Sequence, residues 1–144
     1  MNPNKIYLVQ TDTTVGFLSK DKIKLNKIKK RPLNRPVLRE VDSLKTLKNF
    51  VRVPKKHKNR IRRAKKTTFI LPNTHSYRVI YDTPHLLLLN RLKWVYTTSA
   101  NLSNASYDEA FAKSMADVVI EPLKVNQAAS RIVKLGLNTL KKVR

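Results

Sequence analysis

Lys29-x-Arg31 stands directly before Pro32. Proline biases the residue before it toward an extended backbone. Alternation then puts Lys29 and Arg31 on one side of the chain, within reach of one anion, against the simpler reading of a solvated charge run. Two runs of small hydroxyl residues have the chemistry to complete such a site. "TDTT" (11–14) follows a strand-like run and, with Gly16, leads into a helix-like one. Hydroxyls and free backbone N–H groups at that junction suit a carboxylate or phosphate, against the simpler reading of a plain turn. "TTSANLSN" (97–104) follows the apolar run "WVY". Ser, Thr and Asn collect there either as a capped turn or as a polar cradle for a ligand. Residues 52–66 carry nine Lys/Arg and no acid. Lys55, Lys56, Lys58, Arg60, Arg62 and Arg63 are candidates for contact with an RNA or nucleotide backbone, against the simpler reading of a solvated face. The segment contains no aromatic residue, so readout by base stacking is not supported there.

These groups need a scaffold, and the sequence patterns outline one. Residues 5–10 ("KIYLVQ") read as a strand, and 17–30 space Leu18, Ile23, Leu25 and Ile28 in a loosely helical pattern broken by Pro32 and Pro36. "PVLREV" (36–41) alternates as a short strand, and Ser43 is placed to cap a helix over 44–51. Pro54 is placed at the first turn of a helix through the basic segment, with Ile61 as its one large apolar residue. Strands are expected over 67–72, 77–81, 93–98, 117–122 and 129–136, with one more in the tail. A short buried helix is expected over 84–92, and Asp108 opens another. Irregular alternation of strands and helices implies an α/β fold: an open twisted sheet of mixed strand directions with flanking helices.

Composition limits what this scaffold serves. A chain of 144 residues with 41% hydrophobic residues fits a single domain spanning 1–144. No apolar run approaches membrane-spanning length, and the start has no signal-peptide layout, so a cytoplasmic location is expected. There is no cysteine, and His57, His75 and His85 match no zinc spacing, so no metal ligands are assigned. The formal net charge is +22, and residues 1–66 hold most of it. Such a field attracts polyanions: RNA, a nucleotide or an acidic protein.

Taken in order, the pieces resemble a known family. "TDTTVGF" resembles the T-[DE]-T-x-Y-G-L signature of YrdC-like proteins, "KKRPLNRPV" their K-x-R-P-x-x-x-P-L segment, and "TSANLSN" their T-S-A-N-x-S-G segment. "TTFIL", "SRIVKL" and the final "KKVR" resemble further segments, so the likeness runs from residue 5 to 144. It implies an open α/β sheet around a concave basic cavity. It also implies a threonylcarbamoyl-AMP synthase, which joins L-threonine, bicarbonate and ATP, with Mg²⁺, for t6A37 modification of tRNA. By the same resemblance Lys29, Arg31, Ser99 and Asn101 form the catalytic tetrad. Thr11, Thr13, Thr68, Thr98, Ser130 and Arg144 match substrate- and ATP-binding positions. A downstream threonylcarbamoyl transferase is an implied partner. The alternative is a catalytically reduced YrdC-like protein that binds double-stranded RNA, tRNA or nucleotide. The chain departs from the pattern at Gln10 (family Pro), Val15 (Tyr), Ala64–Lys66 (P-G-P), Asp82 (Arg, with Arg78 nearby), Arg131 (Thr) and Asn104 (Gly). Most of these bear on the threonine pocket rather than on the tetrad.

Overall fold

The computed structural model describes residues 2–81, 84–124 and 128–144; Asp82 lies outside them. Its strands are β1 (Tyr7–Gln10), β2 (Val15–Ser19), β3 (Leu38–Val41), β4 (Thr67–Ile70), β5 (Ser76–Val79), β6 (Trp94–Ser99), β7 (Val118–Ile120), β8 (Arg131–Leu135) and β9 (Leu140–Lys142). They form one mixed sheet in the order β7-β1-β2-β6-β3-β5-β4-β8-β9. β1–β7, β3–β5 and β4–β8 are parallel and the other neighbours antiparallel. The helices are α1 (Lys22–Ile28), α2 (Leu44–Leu47), α3 (Lys58–Arg63), α4 (Leu86–Leu92) and α5 (Glu109–Met115).

Side chains alternate across the sheet, so the register sorts them onto two faces. The first face carries Leu8 and Phe17 in one half and Val41, Phe69 and Tyr77 in the other. Leu25 of α1 and Ala112 of α5 pack on the first half. Leu44 and Leu47 of α2 and Ile61 of α3 pack on the second. On the other face Leu88, Leu89 and Leu92 of α4 cover Tyr7, Val9, Leu18 and Val95. Next to them, Leu38, Glu40, Arg78, Thr97 and Ser99 project from β3, β5 and β6 on that same face. His85, at the start of α4, meets Glu40, and the rest of this half is the floor of the cavity described below.

The pattern reading and the fold diverge at three places. Residues 17–19 are strand, not helix, so "TDTT" turns a β1–β2 hairpin rather than a strand–helix junction. β2 is paired on both sides, and Phe17 and Leu18 are both fully buried, one in each layer. A strand buried on both faces loses the alternation that marks it. The helix begins only at Lys22, where Asp21 accepts from the Lys24 N–H, and Ile23 is 53% exposed rather than part of an apolar stripe. Pro54 precedes a short 3₁₀ turn, Lys55–His57, and α3 starts after it at Lys58. The expected caps at Ser43 and Asp108 are present.

Phe17 joins the β2 layer to Phe111 of α5 through an edge-on ring contact with centroids 6.4 Å apart. Phe17→Ala is expected to cost about 3–5 kcal/mol. The measurement is a urea melt, with a lower midpoint and an unchanged slope.

Candidate functional site: a basic cavity at the end of the α1 helix

α1 ends in a tight reversal that aims its cations. Lys29 is the C-cap, and Lys30 follows with a left-handed φ of 54°. The Lys30 N–H bonds Lys27 O at 3.1 Å and the Arg31 N–H bonds Asn26 O at 3.1 Å. This is a Schellman closure with lysine in the position glycine usually takes. The turn, rather than an extended backbone with alternation, therefore brings Lys29 and Arg31 to the same site. Asn26 is fully buried and braces them. Its amide donates to Leu33 O and Arg35 O, and its Oδ1 accepts from Arg31 Nε at 2.7 Å.

Lys29 is only 4% exposed. Its Nζ donates to the Ser99 carbonyl at 2.9 Å and lies 3.3 Å from Ser99 Oγ. Ser103 Oγ in turn donates to Lys29 O at 3.2 Å. Burial, then the Arg31 and Arg35 charges, push the Lys29 ammonium down to about 8. Burial and Arg35 likewise lower Arg31. Each of these shifts disfavours the charged form, and a bound anion relieves them.

The cavity beside this pair has a volume of about 260 Å³. Thr11, Thr13, Arg31, Thr98, Ser99, Ser130 and Arg144 line it, together with Gly16, Arg35, Arg78 and Thr97. Thr68 joins from below through a 2.9 Å contact between its hydroxyl and that of Ser130. Arg144 closes the far side by donating to Ser130 O at 2.9 Å. The Thr11 hydroxyl donates to Thr14 O at 2.6 Å and accepts the Thr13 N–H, which fixes the hairpin tip. Gly16 allows this closeness. A Cβ there would stand 3.0 Å from the Thr11 methyl and 3.2 Å from Thr98 O. Gln10, the departure from proline, hydrogen-bonds Thr11 O and Thr13 O and accepts from the Lys124 N–H at 2.7 Å. Asn104 takes the family's glycine position with a φ of 62°, a conformation asparagine tolerates.

Two groups of expected residues lie elsewhere. Asn101 does not line the cavity. Its amide donates to Leu102 O and Ala105 O at 2.9 and 2.7 Å, holding its own turn. "TTSANLSN" thus serves both purposes: residues 97–99 line the cavity and 101–105 form a capped turn. Lys55, Lys56, Arg60, Arg62 and Arg63 are exposed and Lys58 half-buried. Ile61 packs α3 onto the first face of the sheet, so this basic segment lies behind the cavity rather than at its mouth.

The sequence reading noted Arg78 only as an arginine near position 82 and missed the rest of the cavity's floor. Buried Arg78 donates to Thr13 Oγ1 at 3.2 Å and lies 3.6 Å from both Asp12 and Glu40. Glu40 in turn meets His85 at 2.9 Å. Burial raises Asp12 against the pull of Arg78. Burial also works to raise Glu40, but Arg78 and hydrogen bonds from His85 and Thr97 outweigh it and hold Glu40 well below the usual carboxylate range. Carboxylate oxygens of Asp12 and Glu40 and a nitrogen of His85 lie within 4.8 Å of one another. The Arg78 guanidinium stands where a cation would, 3.6 Å from each carboxylate, and offsets one of their two charges; Asp12 Oδ1 and Glu40 Oε1 are buried without a hydrogen-bond partner. The available signal was charged residues inside two short strands, two in "LREV" and one in "SYRV". A charge in a central strand is tolerated when a partner meets it across the sheet.

No family model matches the sequence, and no curated protein matches it. Solved structures do. The MTH1692 protein from Methanobacterium thermoautotrophicum is 20% identical and superposes with a TM-score of 0.71, over 97% of this chain and 79% of that one. E. coli YciO is 18% identical with a TM-score of 0.77, over 98% and 82%. P. abyssi Sua5 complexed with L-threonine is 16% identical with a TM-score of 0.82, over 97% of this chain and 50% of that one. The chain therefore spans about half the length of the Sua5 structure. At these identities the likeness is one of fold: a YrdC-like open sheet shared with Sua5 and YciO.

Two outcomes follow from the geometry. Lys30→Gly removes left-handed strain and is expected to raise stability by about 0.5–1 kcal/mol, read from the denaturation midpoint, with anion binding kept. Tripolyphosphate favours protonated Lys29, so its affinity is expected to fall as pH rises above about 8, by up to about tenfold per pH unit. Calorimetric titration across that range checks it, and Lys29→Met is expected to weaken binding and flatten the profile.

Proposed function

We propose that the cavity forms threonylcarbamoyl-AMP from L-threonine, bicarbonate and ATP, releasing pyrophosphate. The observation that carries this reading is the convergence of Arg31, Arg35, Arg78 and Arg144 around Thr11, Thr13, Ser99 and Ser130 in one cavity, with Lys29 held against Ser99 at its edge. Polyphosphate needs such cations, and an amino acid needs such hydrogen-bonding groups. The likeness to a Sua5 structure complexed with L-threonine supports the same substrate class.

The chemistry asks little of side chains as nucleophiles. The threonine amine takes up bicarbonate to give a carbamate, with loss of water. A carbamate oxygen attacks the α-phosphorus, and pyrophosphate leaves. Lys29 and Arg31 stabilise negative charge that grows on the phosphoryl oxygens. The Ser99 carbonyl fixes the Lys29 ammonium before substrate arrives, which lowers the cost of orientation. Thr11 and Thr13 offer hydroxyls to threonine or the nucleotide. Mg²⁺ enters as part of the nucleotide substrate.

One observation favours a second reading, nucleotide or RNA binding without the reaction. Asn101, the fourth tetrad position, spends its amide on its own turn. ATP binding without pyrophosphate release would support that reading.

The deciding assay is ATP-dependent pyrophosphate release with threonine and bicarbonate omitted in turn. Release is expected to need both. Lys29→Ala is expected to lower it at least about 100-fold. Ser99→Ala is expected to lower it about tenfold, since the carbonyl that holds Lys29 remains. Folded protein that releases no pyrophosphate with all substrates present overturns the reading.

A further inference from the structure

We propose that a second cavity, behind β3, binds an unpaired nucleotide of an RNA strand. The inference does not depend on the reaction above. Leu38 and Arg39 are successive residues of β3. Leu38 faces the basic cavity, and Arg39 faces a separate one of about 460 Å³ on the other side of the sheet. Pro36 and Val37 line both, so the two cavities stand back to back. The second has a volume typical of small-ligand sites.

Arg39 is its central feature. The guanidinium lies 4.2 Å from the Phe50 ring centre and 4.8 Å from those of Trp94 and Tyr96. It makes one hydrogen bond, to the Tyr96 hydroxyl, and has no ion-pair partner among the described residues. Its Nε is buried without a hydrogen-bond partner. Rings thus hold a cation in place while its charge is left uncompensated. Such an arginine is preorganised for a phosphate edge or a stacked base. Tyr77 and Phe50 add ring surface to the same cavity, and Lys22 and His75 stand at its rim.

The surroundings favour a strand over a free nucleotide. From Phe50 the chain runs directly into the basic segment 52–66, and α2 packs against α3. Exposed Lys55, Lys56, Arg60, Arg62 and Arg63 therefore stand on this face of the sheet, away from the cavity, where they offer cations to the phosphates of a strand that leaves it. The basic segment has no aromatic residue of its own, and the cavity supplies the missing stacking surface. A base held in a duplex cannot enter a cavity, so single-stranded RNA is the class that fits both features.

Trp94 is the only tryptophan and its ring packs edge-on against Phe50 and Tyr96 of the cavity wall, so its emission reports on changes at that wall. The experiment titrates the protein with a short oligouridylate, the matching duplex, and uridine monophosphate, at fixed salt. The single strand is expected to change Trp94 emission and to bind more tightly than either comparator. Arg39→Met is expected to weaken it about tenfold or more, and Lys29→Met by less than about twofold. Should Arg39→Met fail to fold, Lys22→Glu at the exposed rim is expected to weaken it about fivefold. Unchanged emission, equal affinity for the duplex, or unchanged affinity in both variants overturns the proposal. Uridine monophosphate binding as tightly as the strand also overturns it, in favour of a free-nucleotide site.

Discussion

The Lys29 ammonium, held against the Ser99 carbonyl, joins the end of α1 to the edge of the cavity on β6. The constraint behind it is electrostatic. A lysine that is almost entirely buried, with two arginines beside it and no carboxylate in ion-pair contact among the described residues, is poorly stabilised as a cation. A backbone carbonyl compensates part of that cost, and an arriving anion supplies the rest. The surrounding geometry serves this arrangement. The Schellman turn directs Lys29 and Arg31 to one place, and Asn26 fixes the following loop. The sheet then presents Thr97 to Ser99 as the opposite wall.

The acids present are placed where they do not quench the cavity. Asp12 and Glu40 lie below it and are engaged by Arg78, with His85 behind Glu40. Arg78 therefore has two tasks. It compensates buried carboxylates, and it grips Thr13 at the hairpin tip. The network ties β1, β3, β5 and α4 together beneath the site, so the hydroxyls of the hairpin rest on a rigid base. Breaking one member leaves the others charged and buried, which is costlier than the network is stabilising.

Much of this was legible in the residues. The strand and helix order followed from alternation, from prolines and from the Ser43 and Asp108 caps. The family-like segments pointed to Thr11, Thr13, Arg31, Thr98, Ser99, Ser130 and Arg144, and these meet in one cavity. What was not legible has physical causes. β2 hides its strand character because both its faces are buried. The turn after α1 hides its geometry because lysine, not glycine, takes the left-handed position. Asn101 matched its motif while its amide was committed locally. The floor of Asp12, Glu40, Arg78 and His85 is drawn from segments far apart in sequence, so no local pattern announces it. The Arg39 cluster is hidden in the same way, since Phe50, Tyr77, Trp94 and Tyr96 converge only through the sheet register.

The central claim is that Lys29 is an uncompensated cation awaiting an anion. The most direct test is NMR titration of the Lys29 side chain, using its Cε signal, with and without tripolyphosphate. A midpoint near 8 in the free protein that moves up toward the ordinary lysine value when the anion binds is the predicted result. A midpoint already at the ordinary lysine value, or one that the anion does not move, would contradict the account.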